Sequence, residues 1–343
     1  MNKVDVVEFI KKAHNDVALA RVIKTFGNTE KEELTIGSIS KLGFGELRIV
    51  EKEMPINKSR PGRKMDSVEF IVVHDTGNNN IGANAMMHAR FLESDPGVSW
   101  HYTVDENGCY HNLPDDEIGF HAGDGLRDFQ LIDTKVKATT AKPVITIANG
   151  KYIINGIETD ILVPVVENNL ESLRIADSGI FTIIGENGNY FMNTTYYNKS
   201  YKVIANQGGG TRGIGIETCV DEGSSLYSTW QNLAKLVAKL LVENKLGLDR
   251  VMQHNNFSGK NCPQALRMSG LWPMFLEMVE FEYELLTSYQ DYKFTLIADS
   301  DVVDEMGKII NKDITEVNYK IEITNILNGN REVVELVTNL PKK

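Results

Sequence analysis

Two histidines and a cysteine, far apart in the chain, have the flanking chemistry of metal ligands. They are His74 in Val-Val-His-Asp-Thr-Gly, His254 in Met-Gln-His-Asn-Asn and Cys262 in Gly-Lys-Asn-Cys-Pro. Neutral imidazole and thiolate bind zinc at about 2.0 and 2.3 Å, and three protein ligands leave the fourth tetrahedral position open to water. One thiolate cancels half of the metal charge, so the ion stays a strong Lewis acid. Seven residues separate His254 from Cys262, an interval that a bending loop can close on one ion. Glu217, in Gly-Ile-Gly-Ile-Glu-Thr-Cys-Val, is a carboxylate on a strand-like segment that can take a proton from water. The implied cofactor is Zn2+.

These residues need elements to carry them. Val68 to His74 is apolar on both faces, as a central strand covered by helices would be, and it delivers His74 at its C-terminal end. A helix is expected over Ile81 to Glu93. A hairpin is expected over Trp100 to Asn112, turning at Glu106-Asn107-Gly108. Ile214 and Ile216 share one strand face; Gly215, Glu217 and Cys219 share the other. A long amphipathic helix follows, with Leu226, Trp230, Leu233, Val237 and Leu240 on its core face.

The chain resembles the zinc-dependent N-acetylmuramoyl-L-alanine amidases of type 2, a family that shares its fold with peptidoglycan recognition proteins and includes many phage endolysins. The resemblance is carried by Phe70 to Gly77, Ser99-Trp100-His101-Tyr102 and Gly119-Phe120-His121-Ala122-Gly123. It continues through Gly213 to Glu217 and ends on His254, Lys260, Cys262 and Pro263. It implies an α/β (α+β) fold: a central mixed β-sheet flanked by helices, with a zinc-bearing groove. It also implies hydrolysis of the amide between N-acetylmuramic acid and L-alanine, with bacterial peptidoglycan as partner. His74, His254 and Cys262 would hold the metal and Glu217 would move the proton. Lys260 would stabilise the oxyanion, or else be a plain surface lysine. Trp100, His101, Tyr102 and His121 would line the substrate groove, with outer hydrogen bonding to the metal ligands as the alternative for the two histidines. His14, His88 and His111 have no motif support as ligands. The competing reading is a catalytically silent peptidoglycan-binding module of a phage or surface protein.

The resemblance leaves three regions unexplained. Residues 1–48 form an N-terminal segment with helical spacing from Val6 to Ala20, stopped by Gly27. The amidase domain, 49–285, is interrupted at 124–210 by a β-rich insertion with Asn-Gly pairs at 149, 155 and 187. The insertion's aromatics Phe181, Tyr190, Phe191, Tyr196, Tyr197 and Tyr201 would either stack on sugars or pair across strands. Residues 286–343 alternate like strands and resemble the later half of bacterial immunoglobulin-like repeats.

Composition narrows the setting. The 343 residues are 42% hydrophobic, enough for a sizeable core, and the net charge of −11 with no basic cluster argues against nucleic acid. No apolar run is long enough to span a membrane. The acidic N-terminus is unlike a signal peptide, so cytoplasmic synthesis and action on the wall after release are expected, as for an endolysin. Three cysteines exclude a disulfide framework, leaving Cys109 and Cys219 as buried thiols. A monomer is expected.

Overall fold

The computed structural model describes residues 3–14, 21–24, 30–37, 46–122, 132–141, 143–162, 181–193, 209–258 and 262–341. Six strands make the central sheet: Ile49–Glu51 (β1), Phe70–Asp75 (β2), Tyr102–Asp105 (β3), Gly108–His111 (β4), Gly213–Thr218 (β5) and Val251–Gln253 (β6). Their order is β6-β2-β5-β3-β4-β1. β5 is parallel to β2 and β3, β6 is parallel to β2, and β4 returns antiparallel to β3. The sheet is mixed, and β2 and β5 occupy its middle.

Alternation divides the sheet into two faces with different work. Ile71, Val73, Tyr102, Val104, Ile214 and Ile216 point into the main core. There they meet helices Leu226–Glu243 and Trp272–Thr287 through Trp230, Leu233, Val237, Phe275 and Met278. Each such fully buried side chain contributes about 1.5–3 kcal/mol. Phe70 and Val72 point the other way, into a small cluster with Ala122 and Phe257. His74 and Glu217 belong to that second face.

The first helix of the catalytic region runs Ala85–Leu92, shorter than expected, because the Asn84 side chain accepts the Met87 N–H and caps it. The hairpin forms in the expected place, but Trp100 and His101 precede its first strand. The long helix Leu226–Glu243 is capped by Ser225. It also has a partner that the sequence did not suggest. The buried Glu33 carboxylate accepts from Ser225 Oγ and from the N–H groups of Leu226 and Tyr227. A carboxylate there satisfies unpaired donors and complements the helix dipole.

The two ends of the chain pack together. Helix Lys3–Lys12 ends well before Gly27; strands Arg21–Lys24 and Glu30–Glu33 pair after it, while Val17 and Ala20 lie outside the described residues. Val6, Phe9, Ile10 and Ala13 are buried as their spacing implied, in a core shared with Phe281, Phe294, Val317, Tyr319 and Ile321. In place of an immunoglobulin-like sandwich, the C-terminal region shows one three-stranded antiparallel sheet, Tyr292–Ile297, Glu316–Asn325 and Arg331–Asn339. Its apolar face is closed by the N-terminal helix instead of by a second sheet.

The insertion folds into two three-stranded sheets. Asn149-Gly150 and Asn155-Gly156 both have positive φ at each residue, the geometry that two-residue hairpin turns require. Tyr152, Ile154, Tyr190, Met192 and Val136 form its core. Tyr190 is fully buried, its hydroxyl accepting from the Thr139 and Thr140 N–H groups, so it holds hairpins together and has no face for a sugar. Tyr196, Tyr197 and Tyr201 lie outside the described residues.

Candidate metal centre

β2 and β5 are in register with Glu217 directly opposite His74. β6 runs along the other edge of β2, and the His254 N–H donates to the Val73 carbonyl at 3.1 Å, which brings His254 level with His74. The chain then turns back, and the Asn255 N–H donates to the Cys262 carbonyl at 3.0 Å. The result is a buried His74, His254 and Cys262 group whose ligand atoms all lie within 4.8 Å of one another. The His74 and His254 rings are 4.6 Å apart, and Cys262 Sγ is 3.8 Å from His74 Nδ1. Among the described residues this is the one His/Cys/Asp/Glu group able to hold a metal. Two imidazoles and a thiolate converging at this spacing fit a tetrahedral zinc with one open position.

Glu217 Oε1 lies 3.8 Å from His74 Nδ1, and the side chain is 14% exposed. The carboxylate is thus beside the ligand group, on a side chain that is largely but not fully buried. Lys260 lies outside the described residues.

Asp75 was not anticipated as part of the site. Its N–H donates to Cys262 Sγ at 3.4 Å, and its carboxylate accepts the Ala265 N–H at 2.8 Å, at the start of helix Gln264–Met268. One residue thereby ties the Cys262 loop to the strand that carries His74. The signal was present in the sequence: an acid beside a histidine in a buried strand needs a buried partner.

Of the four positions expected at the groove, three are buried in the sheet and the fourth, His121, lies beside the metal group, as its alternative reading had it. Trp100, His101 and Tyr102 are 6%, 0% and 3% exposed. Trp100 Nε1 donates to Thr103 Oγ1, and the Tyr102 ring stacks on His111. The Gly215 N–H donates to His101 Nδ1, so His101 Nε2 carries the proton and donates to the Glu117 carbonyl. Burial pushes His101 down to about 4 and keeps it neutral. These three side chains are buried and support the sheet from within. His121 faces the metal group, its Nδ1 3.0 Å from His74 Nε2 and its Nε2 3.2 Å from the Gly213 carbonyl. Burial, followed by the neighbouring His101, lowers it to about 3.

The remaining histidines and cysteines have other partners. His111 lies between Glu51 and Asp115, and His14 bonds Tyr319. Burial pushes the Cys109 thiol up to about 12 and raises Cys219 well above the ordinary range, so both are inert neutral thiols.

Residues 64–265 match the family model described as N-acetylmuramoyl-L-alanine amidase, and the chain belongs to that family. The match spans more than half of the chain and includes His74, Glu217, His254 and Cys262. Among curated relatives, the N-acetylmuramoyl-L-alanine amidase CwlH of Bacillus subtilis (strain 168) is 28% identical over 211 residues, 61% of this chain and 52% of its own. XlyA of the same organism, another N-acetylmuramoyl-L-alanine amidase, is 25% identical over 222 residues, 64% of this chain and 48% of its own. The chain therefore spans about half the length of the curated relatives it matches. Among solved structures, the catalytic domain of XlyA aligns with TM-score 0.42 and 25% identity, covering 68% of this chain and 99% of that one.

Proposed function

We propose that this chain is a zinc-dependent amidase that hydrolyses the bond between the lactyl group of N-acetylmuramic acid and L-alanine in bacterial peptidoglycan. The observation that carries the reading is the buried His74, His254 and Cys262 group with Glu217 beside it. His74, His254 and Cys262 would hold zinc, which when bound would supply Lewis acidity toward water and an amide carbonyl. Glu217 accepts the attacking water's proton on its carboxylate and returns it to the leaving amine nitrogen. Asp75 keeps Cys262 against His74 through its N–H and its bond to Ala265. Lys260, two residues before Cys262 in the sequence, would supply a cation for the tetrahedral oxyanion. Wall lysis in the manner of an endolysin is the setting we attach to this chemistry, with the chain acting as a monomer and the insertion extending the substrate surface.

Digestion of purified walls tests the proposal. Mass spectrometry should show new L-alanine amino termini and intact lactyl groups on the glycan, dependent on about one zinc per chain and abolished by a strong chelator. Wall binding without these products would assign the chain to the silent binding class instead. A well-folded, active preparation without metal would remove zinc from the reading.

A further inference from the structure

The two nitrogens of His74 face different partners. Nδ1 lies 3.8 Å from both Cys262 Sγ and Glu217 Oε1, whereas Nε2 lies 3.0 Å from His121 Nδ1. His121 continues the line, with its Nε2 3.2 Å from the Gly213 carbonyl. A carbonyl oxygen only accepts, so His121 carries its proton on Nε2 and has a lone pair on Nδ1. That lone pair accepts from His74 Nε2–H, which leaves the lone pair of His74 on Nδ1, on the side of Cys262 and Glu217.

We propose that His121 is a positioning residue of the metal centre: with the Gly213 carbonyl, it fixes the tautomer and ring orientation that present His74 Nδ1 to the ion. The inference rests on the metal reading above and adds a residue to it. Both His121 ring nitrogens are occupied in this line, so neither remains to bind a substrate group. The packing shows a seat made for the ring. A Cβ at Gly215 would lie 2.6–2.7 Å from three His121 ring atoms, and one at Gly119 would lie 2.9 Å from His121 Cδ2. Gly215 is itself held from behind, donating to His101 Nδ1 and accepting from the His101 N–H at 2.9 Å. Gly119 and Gly215, the second glycine of Gly-Ile-Gly-Ile-Glu, thus clear the face on which one histidine orients another. An outer hydrogen bond of this kind raises ligand basicity, and its loss typically costs 10–100-fold in metal affinity.

The test uses the full chain, with zinc affinity measured by chelator competition and the His74 tautomer by long-range nitrogen–proton NMR on metal-free protein. Wild type should show His74 protonated on Nε2. His121→Leu, which fills the ring's volume without hydrogen bonds, should bind zinc about 10–100-fold more weakly and let His74 populate both tautomers. In His121→Gln the amide can accept from His74 and donate to Gly213, so it should recover most of both properties. A His121 that mattered only for packing would lower the melting temperature and leave the tautomer unchanged. Wild-type zinc affinity in folded His121→Leu, or His74 protonated on Nδ1 in the wild type, would overturn the proposal. If His121→Leu does not fold, the wild-type tautomer and the Gln variant decide. Wild type that takes up no zinc would sink the metal reading, and the metal-free tautomer would still judge the relay.

Discussion

The central sheet and the inserted sheets are both built from short strands, but they use glycine for opposite purposes. In the insertion, Gly150 and Gly156 serve the chain path, adopting the positive φ that a two-residue turn demands. In the central sheet, Gly215 lies within a strand, where glycine weakens packing, and what it supplies is room. His121 occupies that room and reaches His74. The polar groups differ in the same way. Tyr190 in the insertion bonds the backbone groups of Thr139 and Thr140, a tie that stays within the inserted sheets. His74, Glu217 and the His254–Cys262 loop come from three separate segments and meet only because β2 has β5 on one side and β6 on the other. Convergence of reactive side chains on one point is the mark of chemistry, and satisfaction of backbone groups within one unit is the mark of architecture. The contrast fails if disturbing the first region leaves chemistry intact, or if disturbing the second abolishes it.

The largest expected effect tests the first region directly. Glu217→Gln should keep fold and zinc while losing roughly 10²–10⁴-fold in turnover, the usual contribution of general acid–base catalysis. Cys262→Ser should show the reverse order, with metal affinity falling first and activity following it. Zinc titration and turnover on soluble muropeptides separate the two. Near-normal turnover of Glu217→Gln at saturating substrate would mean that another group moves the proton.

His101 gives a smaller effect, on stability and pH. Its ordinary value of 6.5 falls to about 4 in the folded chain because the ring is buried. Between those values the unfolded chain binds a proton that the folded chain does not. Stability from this group is therefore complete above about pH 6.5 and is lost as pH falls towards 4, by up to about 3 kcal/mol. His121, also depressed by burial, acts in the same direction. Urea unfolding of the metal-free chain at pH 7 and pH 4.5 should show the loss, and it should shrink in His101→Gln. Equal stability at both pH values in the wild type would contradict the burial argument.

Much of the candidate site was legible because each candidate ligand lies in a short stretch with its own flanking residues, and because β2 and β5 are apolar enough to read as central strands. His101 and His121 were visible as residues, but whether they touched substrate or other histidines depends on side-chain directions that no local pattern encodes. The meeting of the chain ends was legible only in half. Val6, Phe9, Ile10 and Ala13 announced a buried face, and Val317, Tyr319, Ile321 and Ile323 announced another, yet nothing in either stretch names its partner. Glu33 was invisible for a related reason. It lies among other acids in Glu30–Glu33, and only the fold brings it to the start of the helix Leu226–Glu243. Replacing it by alanine leaves the Leu226 and Tyr227 N–H groups without their carboxylate. The expected cost is about 0.5–2 kcal/mol, the range for losing a helix cap, with Glu33→Gln intermediate. Thermal unfolding should show it; an unchanged midpoint would mean that water or Ser225 replaces the carboxylate fully.

The smallest expected effect on the metal centre comes from the largest change in sequence. The insertion's two stems are neighbours: a Cβ on Gly209 would lie 2.5 Å from the Ala122 side chain, and the Gly119 N–H donates to the Gly210 carbonyl at 3.0 Å. Residues 209–212 form a helical turn that belongs with the central sheet's side of the boundary, since Gly209 and Gly210 are buried and Arg212 leads straight into β5. The cut therefore falls before Gly209, slightly inside the boundary expected from the sequence. With the stems touching, a short Gly/Ser linker in place of 124–208 can close without strain, and loop length alone costs little. Zinc affinity should stay within a few-fold of wild type, because His121 and Gly213 both remain. Soluble muropeptides should still be cut, while activity on intact walls falls if the inserted sheets extend the contact with polymer. Comparing both substrates before and after replacement decides. Loss of zinc together with equal loss on both substrates would show that the inserted strands hold the His121 seat in place, and that the two regions are one mechanical unit.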